Sequence, residues 1–570
     1  MSASSRRRVV LLALLALALA GLGCRGGETL DAGLVVAPEA RAAEVGARVL
    51  GAGGNAVDAA VATHFALAVT FPYAGNIGGG GFLLVHEPRG QVTALDFRET
   101  APARATRDMF LDARGEVAPQ ASLNSHLAAG VPGSVRGMWD LHRRYGSLPW
   151  RELLEPAIAL ADDGFPLDEW TAGSFAAAAE RFRGLPPEFA RRVNFEHYFR
   201  GRAGERLVQR ELAATLRRIA EAGADGFYRG ETAQLVAREM TRGGGLVTGA
   251  DLDAYRTAWR EPVAGTYRGH RVVSMPPPSS GGPLLIELLN MLEPFSPPPA
   301  HGSADQVHLY AELEKRAFAD RAEHLGDPRF HRVPLDMLLD KDYALERAAE
   351  VQLDGCSDPR EIRPGKVERE STLHFSIVDR HRMVVACTTT INDGYGSGIV
   401  VEGAGFLLNN EMDDFSARPG ARNLYGVVGG EANAIAPGKR MLSTMAPTFV
   451  FDAEGRLWLA LGSPGGSTIL TTIFQVIANR IDYGMTLRQA VAAPRVHHQW
   501  PPAQPGSQPL TVERGQRAPA DATVARLRAM GYSIEPRKSI GDVQALEIAG
   551  SRVLGAPDPR GTGRAVPERR

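Results

Sequence analysis

Ser371-Thr-Leu-His-Phe-Ser-Ile-Val-Asp379 alternates with period two: Thr372, His374, Ser376 and Val378 on one side, Leu373, Phe375 and Ile377 on the other. That spacing predicts a β-strand with one polar face. The residues before it, Asp354 to Glu370, contain no apolar run and predict an exposed linker. A turn at Asp379-Arg-His-Arg382 leads to a second strand over Met383–Thr390, rich in Val and Thr. Further along, Thr448–Phe451 and Arg456–Leu461 form another strand pair around Asp-Ala-Glu-Gly455. The latter strand runs into Gly462-Ser-Pro-Gly-Gly466 and a helix from about Ser467 to Ile481. Strands feeding apolar helices predict a layered α/β architecture.

Upstream of the linker the chain reads as helical from Pro38 to Val69, broken at Gly51-Ala-Gly-Gly54. Asn55 is a good N-cap, and Ala56 to Val69 is apolar on nearly every side, which predicts a buried helix. Gly75-Asn-Ile-Gly-Gly-Gly-Gly81 precedes a strand-like Phe82–Val85. Residues 135–260 carry helical periodicity. Residues 271–275 read as a strand, and Met275-Pro-Pro-Pro-Ser-Ser-Gly-Gly282 as a tight loop. With 570 residues, 44% hydrophobic and 23% charged, the chain is an ordinary globular protein rather than a disordered or coiled-coil one. Its 64 basic and 65 acidic residues give no basic excess for nucleic acid. The three cysteines, Cys24, Cys356 and Cys387, form no metal-binding or disulfide pattern.

The first residues read as a targeting segment. Arg6, Arg7 and Arg8 precede an apolar run from Val9 to Ala20, too short to span a membrane and right for a signal peptide. Gly23-Cys24 resembles a lipoprotein cleavage site, and Ala18-Leu19-Ala20 is a rival site for ordinary cleavage. Either predicts export, with the mature chain periplasmic or anchored by lipid on Cys24 to the outer membrane. Loss of residues 1–23 removes three arginines and no acids, leaving a net charge of −4.

A threonine that opens a strand right after a charged linker has a chemical use. Cleavage before Thr372 would make it a chain terminus whose α-amine, with an unperturbed pKa of about 7.7–8.0, can act as base to its own hydroxyl. Gly465 and Gly466, at a strand-to-helix turn, suit backbone N–H groups that converge on a developing oxyanion. The chain has no GxGxxG, P-loop, HExxH or GxSxG. His497-His498 lie adjacent in a strand and face opposite ways, so they read as structural rather than as a shared metal site.

Several ordered stretches resemble the γ-glutamyltransferase (γ-glutamyltranspeptidase) family: Gly54-Asn-Ala-Val-Asp-Ala-Ala60, Gly75–Gly81, Asp96-Phe-Arg-Glu-Thr-Ala-Pro102, Ser371–Asp379, Leu407-Leu-Asn-Asn-Glu-Met-Asp-Asp-Phe-Ser416, Lys439-Arg-Met-Leu-Ser-Thr-Met-Ala-Pro-Thr448 and Gly462-Ser-Pro-Gly-Gly-Ser467. The resemblance covers about residues 30–560. It implies the N-terminal-nucleophile hydrolase fold, a four-layer αββα sandwich. It also implies autocleavage of one precursor into a large subunit, 24–371, and a small catalytic subunit, 372–570, which pair as a heterodimer.

By the same resemblance Thr372 is the nucleophile, with Leu373 where the family usually has a second Thr, and Thr390 supports it. Gly465 and Gly466 are the oxyanion hole. Arg98 binds the donor's α-carboxylate, Ser443 and Thr444 stand where the family has a Ser-Ser pair, and Asp414, Glu411 and Asn392 face the α-ammonium. Arg418–Gly430 is a lid loop, with Tyr425 its gating aromatic. Read alone, Glu411-Met-Asp-Asp414 would be a solvated acidic turn and Arg98 a structural ion pair. The implied activity is γ-glutamyl transfer from glutathione or another γ-glutamyl amide to water, an amino acid or a peptide, through a threonyl ester, with no metal or cofactor. Two alternatives are a cephalosporin or glutaryl acylase, whose substrate lacks the amine, and an inactive lipid-anchored binding protein of the same fold.

Overall fold

A computed structural model describes residues 27–357, 372–418, 429–499 and 507–569. The signal segment, Cys24, Ser371 and Tyr425 lie outside these residues. Two seven-stranded sheets carry the architecture. One runs, in spatial order, Arg564–Pro567, Leu34–Ala37, Leu373–Val378, Val384–Thr390, Gly80–His86, Val92–Asp96 and Ala258–Arg260. The other runs Gly27–Leu30, Arg552–Pro557, Gln544–Ala549, Leu457–Leu461, Thr448–Phe451, His270–Ser274 and Val263–Tyr267. The strand that opens just after Thr372 is thus central in its sheet, paired antiparallel to Val384–Thr390 on one side and to Leu34–Ala37 on the other.

The period-two reading of that strand separates two buried faces. Leu373, Phe375 and Ile377 share a core with Val385, Cys387 and the helices Ala40–Gly51 and Ala56–Thr70. On the opposite face Leu34, Val36, Phe82, Leu84 and Ala386 share a core with Val272, Phe449, Leu459 and Leu546 of the other sheet, so the sheets are stacked. The apolar helices Gly281–Leu292 and Thr468–Ile481 contribute to that same core. Ala56–Thr70 is buried along its whole length, as its all-round apolar sequence requires. Its start is fixed by a capping box: Asn55 Oδ1 accepts from the Val57 and Asp58 N–H groups, and the Asp58 carboxylate accepts from Asn55 N–H.

The polar side chains of the Thr372 strand do not meet water. They close a ladder between the sheets. Ser376 Oγ donates to the Gln544 carbonyl at 3.1 Å, so it accepts from His374 Nε2 at 3.0 Å, and His374 Nδ1 in turn accepts from Thr388 Oγ1 at 2.8 Å. This fixes His374 as the neutral Nε2–H tautomer. Burial pushes its pKa down to about 3, that of His497 to about 3 and that of His64 to about 4. A histidine whose folded pKa is depressed contributes stability that is present above its unfolded pKa near 6.5 and is lost as pH falls through the window down to the folded value. Between pH 6.5 and 5 each of these three should therefore cost roughly 2 kcal/mol. The expected result is a urea midpoint that falls steeply from pH 7 to pH 5, and less steeply in His64→Asn. An equal slope in the two proteins would contradict the assignment.

One expectation needs correction. The linker is exposed at Asp354, as expected, but not at Ser357. Ser357 is buried, its N–H and hydroxyl both donate to the Glu312 carboxylate at 3.1 and 2.6 Å, and its carbonyl accepts from Gln508. Glu312 is itself paired with Lys315 at 2.5 Å and Arg316 at 2.9 Å. The charged stretch therefore departs from a fixed point; residues 358–371 lie outside the described residues. Among the described residues no helix is long and apolar enough to cross a membrane.

Candidate active site

The site lies where three sheet segments end together. The register Leu373↔Thr389, continued by one residue, sets Thr372 across from Thr390, and Thr390 in turn pairs with Gly80. Both threonines are buried, at 5% and 3% exposure. Thr390 Oγ1 accepts from the Asn392 N–H at 2.8 Å. Asn76 holds this corner: its amide donates to the Thr390 carbonyl at 3.0 Å, and its oxygen accepts from Gly79 N–H and Ser134 Oγ. Gly79 is needed here, because a Cβ on it would stand 2.1 Å from the Thr390 carbonyl oxygen.

Thr372 also lines a cavity of about 160 Å³ with Pro464, Gly541 and an aromatic wall of Phe71, Tyr73 and Trp170. Trp170 stacks on Phe71 at 5.3 Å. Pro464 leads into the glycine pair. Gly465 and Gly466 both have positive φ, +136° and +53°, as a reversal of direction between strand Leu457–Leu461 and helix Thr468–Ile481 demands. Their carbonyls accept from Thr468 N–H and Ile469 N–H in the first helical turn. The peptide planes so fixed stand at the positive end of the helix dipole.

Thr444 meets this loop directly. Its hydroxyl donates to the Gly466 carbonyl at 2.6 Å, so in this state it braces the glycine turn. Ser443 Oγ accepts from Met445 N–H and keeps its proton. One residue further back, the carbonyls of Met441 and Leu442 lie 3.4 and 3.5 Å from the Arg98 guanidinium.

Arg98 is fully buried and pairs with Glu411 at 2.7 Å, Asp414 at 2.5 Å and, more distantly, Glu99 at 3.6 Å. Glu411 is completely buried, which overturns the reading of Glu411–Asp414 as a solvated turn. Burial raises the carboxyl groups of Glu411, Glu99 and Asp414 against the lowering pull of Arg98. Three carboxyls thus stand around the Arg98 guanidinium. Asn392, with φ +72°, donates through Nδ2 to the Asn410 carbonyl at 2.9 Å and so ties the Thr390 corner to the Glu411 turn. A chain of contacts thus links Thr390 through Asn392 to the Glu411–Asp414 turn and Arg98, and on through the Leu442 carbonyl and Thr444 to the Gly465-Gly466 turn.

Sequence reasoning missed four contributors. Glu99 was quoted only as Arg98's neighbour. Ser279 and Ser280, in the Met275–Gly282 loop, clamp the other strand of the pocket: Ser280 Oγ donates to the Ser443 carbonyl at 2.7 Å and Ser279 Oγ to that of Met445 at 2.6 Å. Asn433 bridges the Asp414 carbonyl and the Leu442 N–H. None has a local signature beyond the Ser-Ser-Gly-Gly loop. The His497-His498 pair is confirmed as structural. His497 Nδ1 meets Thr471 Oγ1 at 3.0 Å, and His498 N–H donates to Glu314 at 2.7 Å; both rings are buried. Tyr425 and the lid segment 419–428 fall outside the described residues.

Comparison with known proteins places the chain in a family. Residues 42–568 match the model of the gamma-glutamyltranspeptidase family. The chain is 48% identical over 541 residues to the glutathione hydrolase proenzyme of Pseudomonas aeruginosa, covering 94% of each chain. It is 46% identical to that of Escherichia coli, over 93% of this chain and 90% of the other. Among solved structures, the cephalosporin acylase of Bacillus halodurans superposes with a TM-score of 0.83 at 28% identity, over 95% of this chain and 96% of that one. The chain is an enzyme of the gamma-glutamyltranspeptidase family.

Proposed function

We propose that this protein hydrolyses and transfers γ-glutamyl groups, glutathione being one donor, after cutting itself between Ser371 and Thr372. The observation that carries the reading is the buried Arg98–Glu411–Asp414 cluster, tied by Asn392 to the strand end at Thr390 across from Thr372. An α-amino acid head group presents an ammonium beside a carboxylate. The excess acid of Asp414 and Glu411 suits the ammonium; Arg98 and the Ser443 hydroxyl suit the carboxylate. The names of the relatives, glutathione hydrolase proenzymes, support the same substrate and a processed precursor.

In this reading Thr372 Oγ first attacks the Ser371 carbonyl. The C–N bond breaks as the acyl group shifts to an ester, which frees the Thr372 amine, and water then hydrolyses the ester to give the Ser371 carboxylate and the Thr372 hydroxyl. That amine then takes the hydroxyl proton as Thr372 Oγ attacks the γ-carbonyl of a donor, and the Thr390 hydroxyl supports the nucleophile. The oxyanion rests on the N–H groups of Gly465 and Gly466. The leaving amine takes the proton, and a γ-glutamyl ester stays on Thr372 until water or an acceptor amine displaces it. Large subunit 24–371 and small subunit 372–570 remain paired as a heterodimer. The two stacked sheets, with helices Ala40–Gly51 and Ala56–Thr70 on one outer side and Gly281–Leu292 and Thr468–Ile481 on the other, support an αββα sandwich. Tyr425 gates the opening in this scheme. Export of the chain, with residues 1–23 as signal peptide and lipid on Cys24, rests on the sequence alone; it would place the enzyme in the periplasm or on the outer membrane.

One preparation tests the reading. Purified protein should release p-nitroaniline from γ-glutamyl p-nitroanilide, with a dipeptide changing the rate, and should act far less on the glutaryl analogue. Before purification it should sediment with membranes and be released by detergent but not by salt. An uncut chain that releases nothing sinks the proposal, and a preference for glutaryl would select the acylase reading that the Bacillus halodurans structure represents.

A further inference from the structure

The Met275–Gly282 loop and the helix Ala304–His324 belong to the large-subunit part of the chain, yet both reach the donor pocket. Ser279 and Ser443 form a parallel bridge. Ser443 N–H donates to the Pro278 carbonyl at 2.9 Å, and the Ser443 carbonyl accepts from both the N–H and the hydroxyl of Ser280, each at 2.7 Å. Ser443 has no freedom of its own; its backbone is set by this loop. Arg321, in the last turn of the helix and 4% exposed, closes the arrangement: its Nε donates to Ser280 Oγ at 3.1 Å. Ser280 Oγ, already donating to Ser443, has a lone pair for this and no second proton, so the two bonds fix one another's direction.

We propose that Arg321 is a positioning residue for the donor pocket: held by Ser280, it fixes the Ser443 backbone and keeps a second positive charge against Asp414, so that the Asp414 carboxylate is ionised when the substrate ammonium arrives. This rests on the reading of Asp414 as the ammonium's partner. The need for such a charge follows from the pocket's composition. Asp414 is faced by Arg98 and Glu99, from the stretch after strand Val92–Asp96, by Glu411 from its own turn and by Arg321 from the helix. One guanidinium among three carboxyls leaves protonation of a carboxyl as the cheapest way to neutralise the site. A protonated Asp414 is a poor partner for an ammonium. Arg321 opposes that outcome: it lowers the proton affinity of Asp414, which burial otherwise raises.

The test compares Arg321→Gln, Arg321→Lys and wild type on γ-glutamyl p-nitroanilide across pH, with inhibition by L-glutamate and by glutarate. In Arg321→Gln, KM and the inhibition constant for L-glutamate should rise about tenfold or more while kcat changes little, as for a misplaced binding group. The acidic limb of kcat/KM should move to higher pH by roughly half a unit or more, because Asp414 then loses its proton less readily. Inhibition by glutarate, which has no amine, should weaken far less than inhibition by L-glutamate. Arg321→Lys keeps the charge and should keep the limb near its wild-type position. Should Arg321→Gln fail to accumulate, Ser280→Ala removes the anchor with little change in volume and should raise KM in the same sense. Equal loss of glutamate and glutarate binding, an unmoved acidic limb in Arg321→Gln, or a wild-type KM in Ser280→Ala overturns the proposal. Wild-type protein with no γ-glutamyl activity would instead remove the reading beneath it.

Discussion

Thr372→Ala should run as one uncut chain on a denaturing gel and release no detectable p-nitroaniline from γ-glutamyl p-nitroanilide. The substitution removes the hydroxyl that attacks in both reactions, and nothing adjacent replaces it. The Thr390 hydroxyl faces the same corner but sits at the end of its strand, held by Asn392 N–H and by the Asn76 bond to its carbonyl. Loss of a nucleophile costs on the order of a millionfold in turnover. The fold should survive, because Leu373, Phe375 and Ile377 still fill the core below. A cut and active Thr372→Ala protein would mean that another residue is the nucleophile.

Asp414→Ala should give the next largest effect, and a selective one. The carboxylate pairs at 2.5 Å with Arg98, whose side chain is fully buried, and is itself largely shielded from water. Losing one partner of a desolvated charge pair costs roughly 2–5 kcal/mol, on the order of 30- to several-thousandfold. The loss should fall on kcat/KM for γ-glutamyl substrates and on L-glutamate binding. Glutaryl compounds, with no ammonium to lose a partner, should be affected far less. Equal losses for both acyl groups would make Asp414 a structural partner of Arg98 and the pocket assignment wrong.

The strands were legible because their pattern is local. Leu373–Val378 and Val384–Thr390 emerge within a residue of the boundaries that period two suggests, and helix Ala56–Thr70 begins at the N-cap its sequence marks. The pocket was legible only through resemblance. Arg98 and Asp414 are 316 residues apart, and Ser280 and Ser443 are 163 apart; no spacing rule joins such pairs. The same limit produced the error at the linker. A stretch with no apolar run gives no sign that Glu312, 45 residues upstream, holds Ser357 in place. Thr444 shows a subtler limit. Its residue type suits a hydroxyl for the substrate, but only the fold shows that hydroxyl spent on the Gly466 carbonyl.

The central claim is that Thr372 becomes a chain terminus. Sequencing the N-terminus of the smaller fragment tests it directly. The expected sequence is Thr-Leu-His-Phe-Ser, residues 372–376. Any other first residue, or a fully active protein that remains a single chain, would contradict it.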